Sequence, residues 1–116
     1  MWAMAHGPRL CCRLVQDTTE TVLLAAAGEI DLATAEEVDA ALDPFIDADR
    51  PVLLDMRAVT FIDCCGLRSL QRARARNPQF TLIAPSQPVL RLLELIGPNA
   101  PLPWIAQVPQ VEGKGE

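Results

Sequence analysis

The fold is decided by residues 61–67, Phe61-Ile62-Asp63-Cys64-Cys65-Gly66-Leu67. A β-branched and aromatic run ends at Ile62, and apolar residues at helical spacing follow from Leu67, which predicts a strand leading into a helix over about Cys64–Arg76. Asp63 is the predicted N-cap of that helix. Free backbone N–H groups and the helix dipole favour negative charge at such a junction. An exposed residue there is therefore well placed to carry a modification or to contact a partner.

Strand patterns lie on both sides of this junction. Residues 10–15 and 21–27 are apolar runs joined by a polar turn, which predicts a β-hairpin. Residues 52–56 and 80–84 are nearly unbroken apolar runs and predict strands covered on both faces. Residues 102–106 are predicted to add a last short strand.

Helix patterns alternate with these strands. Thr34 and Glu37 match a capping box that opens a first helix, and Pro44 should end regular helix at the preceding residue. Ser86 is the predicted N-cap of a third helix. The order of elements predicts an α/β fold, with a mixed, mainly parallel sheet of four to five strands, an N-terminal β-hairpin and about three helices packed on the sheet.

The length allows one domain. The chain has 116 residues, and half of them are apolar, which is enough for a single hydrophobic core. We expect a mobile leader over residues 1–8, the domain over residues 9–107 and a flexible tail over residues 108–116.

Composition and charge exclude several classes of function. The net charge of −5 and the scarcity of aromatic residues argue against binding to nucleic acid. No signal-peptide pattern is visible, and the longest apolar run, residues 22–27, is far shorter than the about 20 residues that cross a bilayer. We therefore expect a cytoplasmic protein that does not insert into a membrane.

The four cysteines form two adjacent pairs, Cys11-Cys12 and Cys64-Cys65. This spacing does not match the C-x2-C pairs of zinc sites, so we expect no metal and no cofactor. A dithiol oxidoreductase that uses Cys64 and Cys65 is the least favoured hypothesis, because such enzymes use C-x-x-C spacing. In a reducing compartment all four residues should be free thiols.

Three motifs in this order resemble the STAS domain, and more narrowly the bacterial anti-sigma factor antagonists. The motifs are Gly28-Glu29-Ile30-Asp31 before a helix, Leu54-Asp55-Met56 at the end of a strand, and Phe61-Ile62-Asp63-x-x-Gly66-Leu67 at the start of the next helix. The resemblance covers about residues 20–106, with the order of elements in step. It implies a STAS-like single domain.

The resemblance also implies a mechanism and a partner. In that family the third motif usually contains Asp-Ser-Ser-Gly or Asp-Ser-Thr-Gly. The first serine is phosphorylated by a partner that is both a kinase and an anti-sigma factor, of the ATPase-kinase type. The unphosphorylated domain binds this partner and releases a sigma factor, and the phosphorylated domain dissociates. By this resemblance Cys64 occupies the position of the phosphorylated serine and Cys65 that of its neighbour.

The implied function is regulation by binding, without catalysis. The partner-binding residues implied by the resemblance are Glu29, Asp31, Asp63, Cys64, Cys65, Gly66, Leu67 and Arg68. Because a thiol does not replace the hydroxyl that such a kinase phosphorylates, the serine switch should be missing. A neutral thiol is close to serine in size, so the surface should resemble the binding-competent form.

Two other hypotheses stay open on the sequence. STAS domains also serve as scaffold subunits, for instance in lipid-transport or other multiprotein assemblies, where a missing serine would not matter. Alternatively, Cys64 could replace phosphorylation by thiol oxidation, since helix N-termini lower thiol pKa values and thiolates oxidise. Glu29 and Asp31 also have a plain interpretation as solvated loop charges, and Asp63 as a helix cap.

Overall fold

The computed structural model describes residues 3–6, 9–97 and 102–107, which form one six-stranded sheet with three helices. The strands are β1 (Ala3–His6), β2 (Leu10–Asp17), β3 (Val22–Ile30), β4 (Val52–Ile62), β5 (Phe80–Ile83) and β6 (Trp104–Ile105). The helices are α1 (Ala35–Ile46), α2 (Cys64–Arg76) and α3 (Gln87–Ile96). The predicted tail, residues 108–116, lies outside the described residues.

The strands lie in the sheet in chain order. The pairs β1–β2 and β2–β3 are antiparallel, whereas the pairs β3–β4, β4–β5 and β5–β6 are parallel. A helix connects each parallel pair, as parallel strands require. The predicted α/β class, the mixed sheet, the N-terminal hairpin and the three helices are therefore confirmed.

The sheet has one more strand than predicted. Residues 3–6, which we assigned to a mobile leader, form β1 and pair with β2 through contacts such as Ala5 with Cys12. The sequence of this segment, Ala-Met-Ala-His, carries no alternation of apolar and polar residues that would have indicated a strand.

The core is built almost wholly from aliphatic side chains. β3, β4 and β5 supply its centre, and α1 and α2 pack their apolar sides against it. The largest fully buried side chains include Phe80, Met56, Leu54, Leu70 and Leu82. Among the described residues, no helix combines the length and the apolar character needed to cross a membrane.

Two predictions about α1 were wrong. Thr34 makes no side-chain capping bond to the helix, because its hydroxyl instead bonds to the preceding loop. Pro44 does not end the helix, which continues to Ile46. Phe45 and Ile46 are both buried, and their burial favours a last helical turn that local propensity disfavours.

This last turn yields a stability prediction. Pro44 lacks the N–H that would donate a hydrogen bond to the carbonyl one turn earlier, and alanine would supply it. Alanine also gives the unfolded chain more conformational freedom, which offsets part of this gain. Pro44→Ala should therefore raise the free energy of unfolding by about 1–2 kcal/mol. Urea unfolding at neutral pH would measure it. Pro88→Ala is the matched control: Pro88 lies in the first turn of α3, where proline is tolerated, so its replacement should only loosen the unfolded chain and lower stability by about 0.4–1 kcal/mol. A Pro44→Ala protein no more stable than the parent would contradict this account.

Candidate functional site

The candidate site lies where β3 and β4 end side by side. The two strands are parallel and paired to their last residues, with Ile30 opposite Ile62. The loop that follows β3 begins at Asp31, and the helix that follows β4 begins after Asp63. The two motifs that sequence places 32 residues apart are therefore brought together at one edge of the sheet.

Asp63 is the N-cap of α2, as predicted. Its backbone is extended, and its carboxylate Oδ1 accepts a hydrogen bond of 2.9 Å from the Gly66 N–H. Its own N–H donates to the Ile30 carbonyl at 3.2 Å, and its carbonyl accepts from the Leu67 N–H at 2.9 Å. Asp63 thus ties the start of α2 both to the helix itself and to the end of β3.

Gly66 is required by the close contact between α2 and β3. A Cβ atom at this position would overlap the Ile30 carbonyl oxygen and lie 2.7 Å from the Ile30 Cγ2 atom. Leu67, the next residue, is buried in the core with 2% of its surface exposed. Gly66 and Leu67 are therefore positioned to hold the helix against the sheet rather than to face a partner.

The two thiols have different surroundings. Cys64, the first residue of α2, is exposed, whereas Cys65 is partly buried. Consecutive helical residues do not face each other, so the pair is not arranged as a dithiol centre. Cys12, by contrast, is buried in the core, and burial raises its pKa to about 12, which keeps it a neutral thiol.

Asp31 organises the loop between β3 and α1. Its Oδ1 accepts hydrogen bonds from the N–H groups of Ala33 at 2.9 Å and Thr34 at 3.1 Å. The Thr34 hydroxyl in turn donates to the Glu29 carbonyl at 2.7 Å and accepts from the Asp31 N–H at 2.9 Å. Asp31 is only 9% exposed, so its role is to hold the backbone of the loop, and little of it is accessible at the surface.

Arg9 joins this loop to the start of β2. Its guanidinium pairs with the Asp31 carboxylate and, at 2.6 Å, with the Glu29 carboxylate. Burial raises the pKa of Asp31, but the charge and hydrogen bond of Arg9 and the two backbone N–H groups outweigh it and lower the pKa overall. The interpretation as solvated charges therefore does not hold for Asp31, which is nearly buried, whereas Glu29, with 43% of its side chain exposed, is a solvated charge that also pairs with Arg9.

The accessible part of the site combines exposed apolar side chains with charged ones. Leu32, at the tip of the loop, is 75% exposed, and Phe61 is 47% exposed. Leu32, Cys65 and Arg68 line an open groove of about 260 Å³ between α1 and α2, with further lining from Ala35, Glu36, Asp39 and Arg72. Arg68 is exposed in the second turn of α2.

The sequence did not reveal Arg9, Leu32 or the hydroxyl network of Thr34. Arg9 lies 20 residues from Glu29 along the chain, and only the antiparallel pairing of β2 with β3 brings them together. The glycine at position 28, inside a strand, is the indirect signal in the sequence. In the structure its φ is +114°, and a Cβ atom there would overlap the Arg9 carbonyl oxygen, so the two backbones are in close contact. Within the described residues, no cluster of three or more potential ligands could hold a metal ion.

The family model described as "STAS domain" matches residues 13–107 of the chain. No sequence among curated proteins matches it.

Solved structures share the fold. An anti-sigma factor antagonist from Mycobacterium paratuberculosis superposes with a TM-score of 0.72 at 21% identity, covering 86% of this chain and 88% of that one. The anti-sigma factor antagonist SpoIIAA in its unphosphorylated form gives 0.60 at 20% identity, with coverages of 72% and 78%. The murine anion transporter Slc26a9 gives 0.58 at 16% identity over 69% of this chain and 14% of that one.

The Arg9 ion pairs predict a pH-dependent contribution to stability. Because the Asp31 pKa is lower in the folded protein than in the unfolded chain, its carboxylate stabilises the fold above about pH 4 and stops doing so as pH falls through the folded pKa. Arg9→Met should therefore lower the free energy of unfolding at pH 7 and progressively less at lower pH. Denaturant unfolding from about pH 7 to about pH 2.5 would measure this.

Arg13→Met is the matched control for this measurement, since Arg13 lies on β2, is exposed and makes no ion pair among the described residues. A deficit of Arg9→Met that is the same at both ends of the pH range would show that the carboxylates are not involved.

Proposed function

The chain belongs to the STAS domain family, and from that premise we propose that it is a regulatory protein of the anti-sigma factor antagonist type. It acts by binding, without catalysis, and its partner is an anti-sigma factor of the ATPase-kinase type. The partner contacts the loop that begins at Asp31 and the first turns of α2. The observation that carries this proposal is the junction at the start of α2. There the family motif leaves Cys64 exposed, while the Asp63 cap and the contact of Gly66 with Ile30 hold the backbone in place.

The surface has the properties of a protein interface. Leu32 and Phe61 expose large apolar side chains at the same edge of the sheet as the exposed Cys64. Aromatic residues are enriched in protein interfaces, and apolar area that is removed from water on binding favours association. The hydrogen bonds of Asp31 and Asp63 hold the backbone beneath them. A preorganised loop loses less conformational entropy on binding, which favours affinity.

Cys64 removes the usual means of ending the interaction. A phosphate group adds about −1.5 to −2 charges, which repel an acidic or desolvated contact surface. Cysteine has no hydroxyl for a serine kinase, so this surface does not gain that charge at Cys64. Binding is then governed by the abundance of the two proteins and by any separate signal that acts on the partner.

Two alternatives account for the missing serine differently. A scaffold subunit of a lipid-transport or other multiprotein assembly needs no switch, and a domain of this fold is part of a transporter in the murine Slc26a9 structure. A thiol-based regulator would instead use the exposed Cys64 as its sensor. The scaffold alternative predicts no specific complex with an ATPase-kinase type anti-sigma factor, whereas the thiol-based regulator predicts a complex that is lost when Cys64 is oxidised.

The proposed function predicts a specific complex that depends on Leu32. The chain should bind at least one ATPase-kinase type anti-sigma factor of its host in a pull-down with purified proteins. Leu32→Asp should then weaken binding by at least about tenfold in calorimetry, because it replaces an exposed apolar side chain of the proposed interface by a charged one.

Leu95→Asp is the matched control, since Leu95 is 79% exposed on α3, away from the site, and its substitution should leave affinity unchanged. If no such anti-sigma factor binds, the proposed function is wrong. If Leu95→Asp weakens binding as much as Leu32→Asp does, the position of the interface is wrong.

Restoring the hydroxyl should restore the switch. Cys64→Ser, incubated with the bound anti-sigma factor and ATP, should acquire phosphate on the introduced hydroxyl, whereas the parent should acquire none. Cys11→Ser is the control, because Cys11 lies on β2 and its hydroxyl variant should also stay unmodified. Intact-mass spectrometry would detect the phosphate, and a Cys64→Ser protein that binds the kinase without being phosphorylated would contradict the assignment of Cys64 to the serine position.

A further inference from the structure

A row of ion pairs joins α1 to α2 and stops short of the site. Arg72 pairs with Asp39 at 2.9 Å, and Arg76 pairs with Asp43 at 3.1 Å and with Asp47 at 2.7 Å. On both helices these residues recur every four positions, so they form matching rows on facing helices. Arg72 and Arg76 of α2 are therefore each paired with a carboxylate that lies on α1 or directly after its last residue.

The same spacing leads to an arginine with no such carboxylate. Four residues before Arg72, α2 carries Arg68. Four residues before Asp39, α1 carries Ala35, which cannot form an ion pair. No acidic side chain lies within salt-bridge distance of Arg68 among residues 9–97 and 102–107. Glu36 lines the same groove, yet it does not pair with Arg68.

This arginine is at the edge of the candidate interface. It lines the groove together with Leu32 and Cys65, so an apolar wall lies beside its charge. The carboxylates of the loop, Glu29 and Asp31, are engaged by Arg9, whereas the exposed Glu36 lines the groove without an ion pair to any described residue. Arg68 itself presents an unpaired positive charge at this edge of the interface, although the whole chain carries −5.

We propose that Arg68 is the specificity-determining residue of this interface and forms a salt bridge with an aspartate or glutamate of the partner, while an apolar side chain next to that carboxylate packs into the groove against Leu32. This inference rests on the proposed function and adds the chemistry of the partner's contact. In the complex the carboxylate of the partner takes the place that Ala35 leaves open in the row of ion pairs.

An exposed interfacial charge acts mainly on the association rate and its dependence on salt. Arg68→Gln should slow association several-fold and flatten its dependence on NaCl concentration, because the electrostatic attraction is removed. Arg68→Glu should weaken binding by about tenfold or more, since it juxtaposes like charges. Stopped-flow association and calorimetry with the anti-sigma factor that binds the parent would measure both.

Arg91→Gln and Arg91→Glu are the matched controls, because Arg91 is exposed on α3 and makes no ion pair within the described part of the chain. Both should bind like the parent. Circular dichroism should show that all four variants are folded.

Charge reversal on the partner gives a result that a merely structural role of Arg68 would not produce. The exposed acidic residues of the anti-sigma factor are changed to lysine one at a time, and one such change should restore binding to Arg68→Glu while weakening binding to the parent. If Arg68→Gln and Arg68→Glu bind like the parent, or if no lysine variant rescues binding, the inference about Arg68 is overturned and the proposed function stands. If the parent binds no such anti-sigma factor, both are overturned together.

Discussion

The carbonyl group of Ile30 is the point on which the candidate site depends. It accepts a hydrogen bond from the Asp63 N–H at 3.2 Å, and it lies so close to Gly66 that any side chain there would overlap it. Through this one group the end of β3 fixes where α2 starts. Since Asp31 is the next residue after Ile30, the loop and the helix start are held relative to each other by the sheet itself.

The charges around the loop follow from this close packing. Asp31 is nearly buried, and a buried carboxylate is costly unless it is paired and hydrogen-bonded. Arg9 and two backbone N–H groups meet that requirement, so the acidic residues of the motif are used to build the loop. The exposed side chains at the site include Leu32 at the tip, Phe61 and Cys64 at the same edge of the sheet, and Arg68. Of the motif residues, Asp31, Gly66 and Leu67 are therefore buried and structural, whereas Phe61 and Cys64 are accessible.

The sequence predicted the elements whose causes are local. The helix over Cys64–Arg76 was predicted at its observed bounds, because an aspartate cap, a glycine and apolar residues at helical spacing all lie within one segment. Predictions failed where distant residues decided the outcome. Pro44 was expected to end α1, but burial of Phe45 and Ile46 keeps the helix intact. Thr34 was expected to cap α1, but the bonds within the preceding loop take its hydroxyl. Arg9 could not be foreseen as a site residue, since its partners lie across a strand pairing.

The way α2 begins explains how the chain can carry cysteine, without loss of structure, at the position that we propose corresponds to the phosphorylated serine. The hydrogen bonds that start the helix come from the Asp63 carboxylate and from backbone groups, and the close contact with β3 comes from Gly66. None of these requires a hydroxyl at residue 64, whose side chain is exposed to solvent. The residues that the motif needs for its structure, Asp63 and Gly66, are therefore distinct from the residue that the proposed regulation needs, which is residue 64. Under the proposed function, cysteine in place of serine at this position removes the acceptor of the phosphoryl group but leaves the geometry of the surface around it, so loss of the switch would not entail loss of binding.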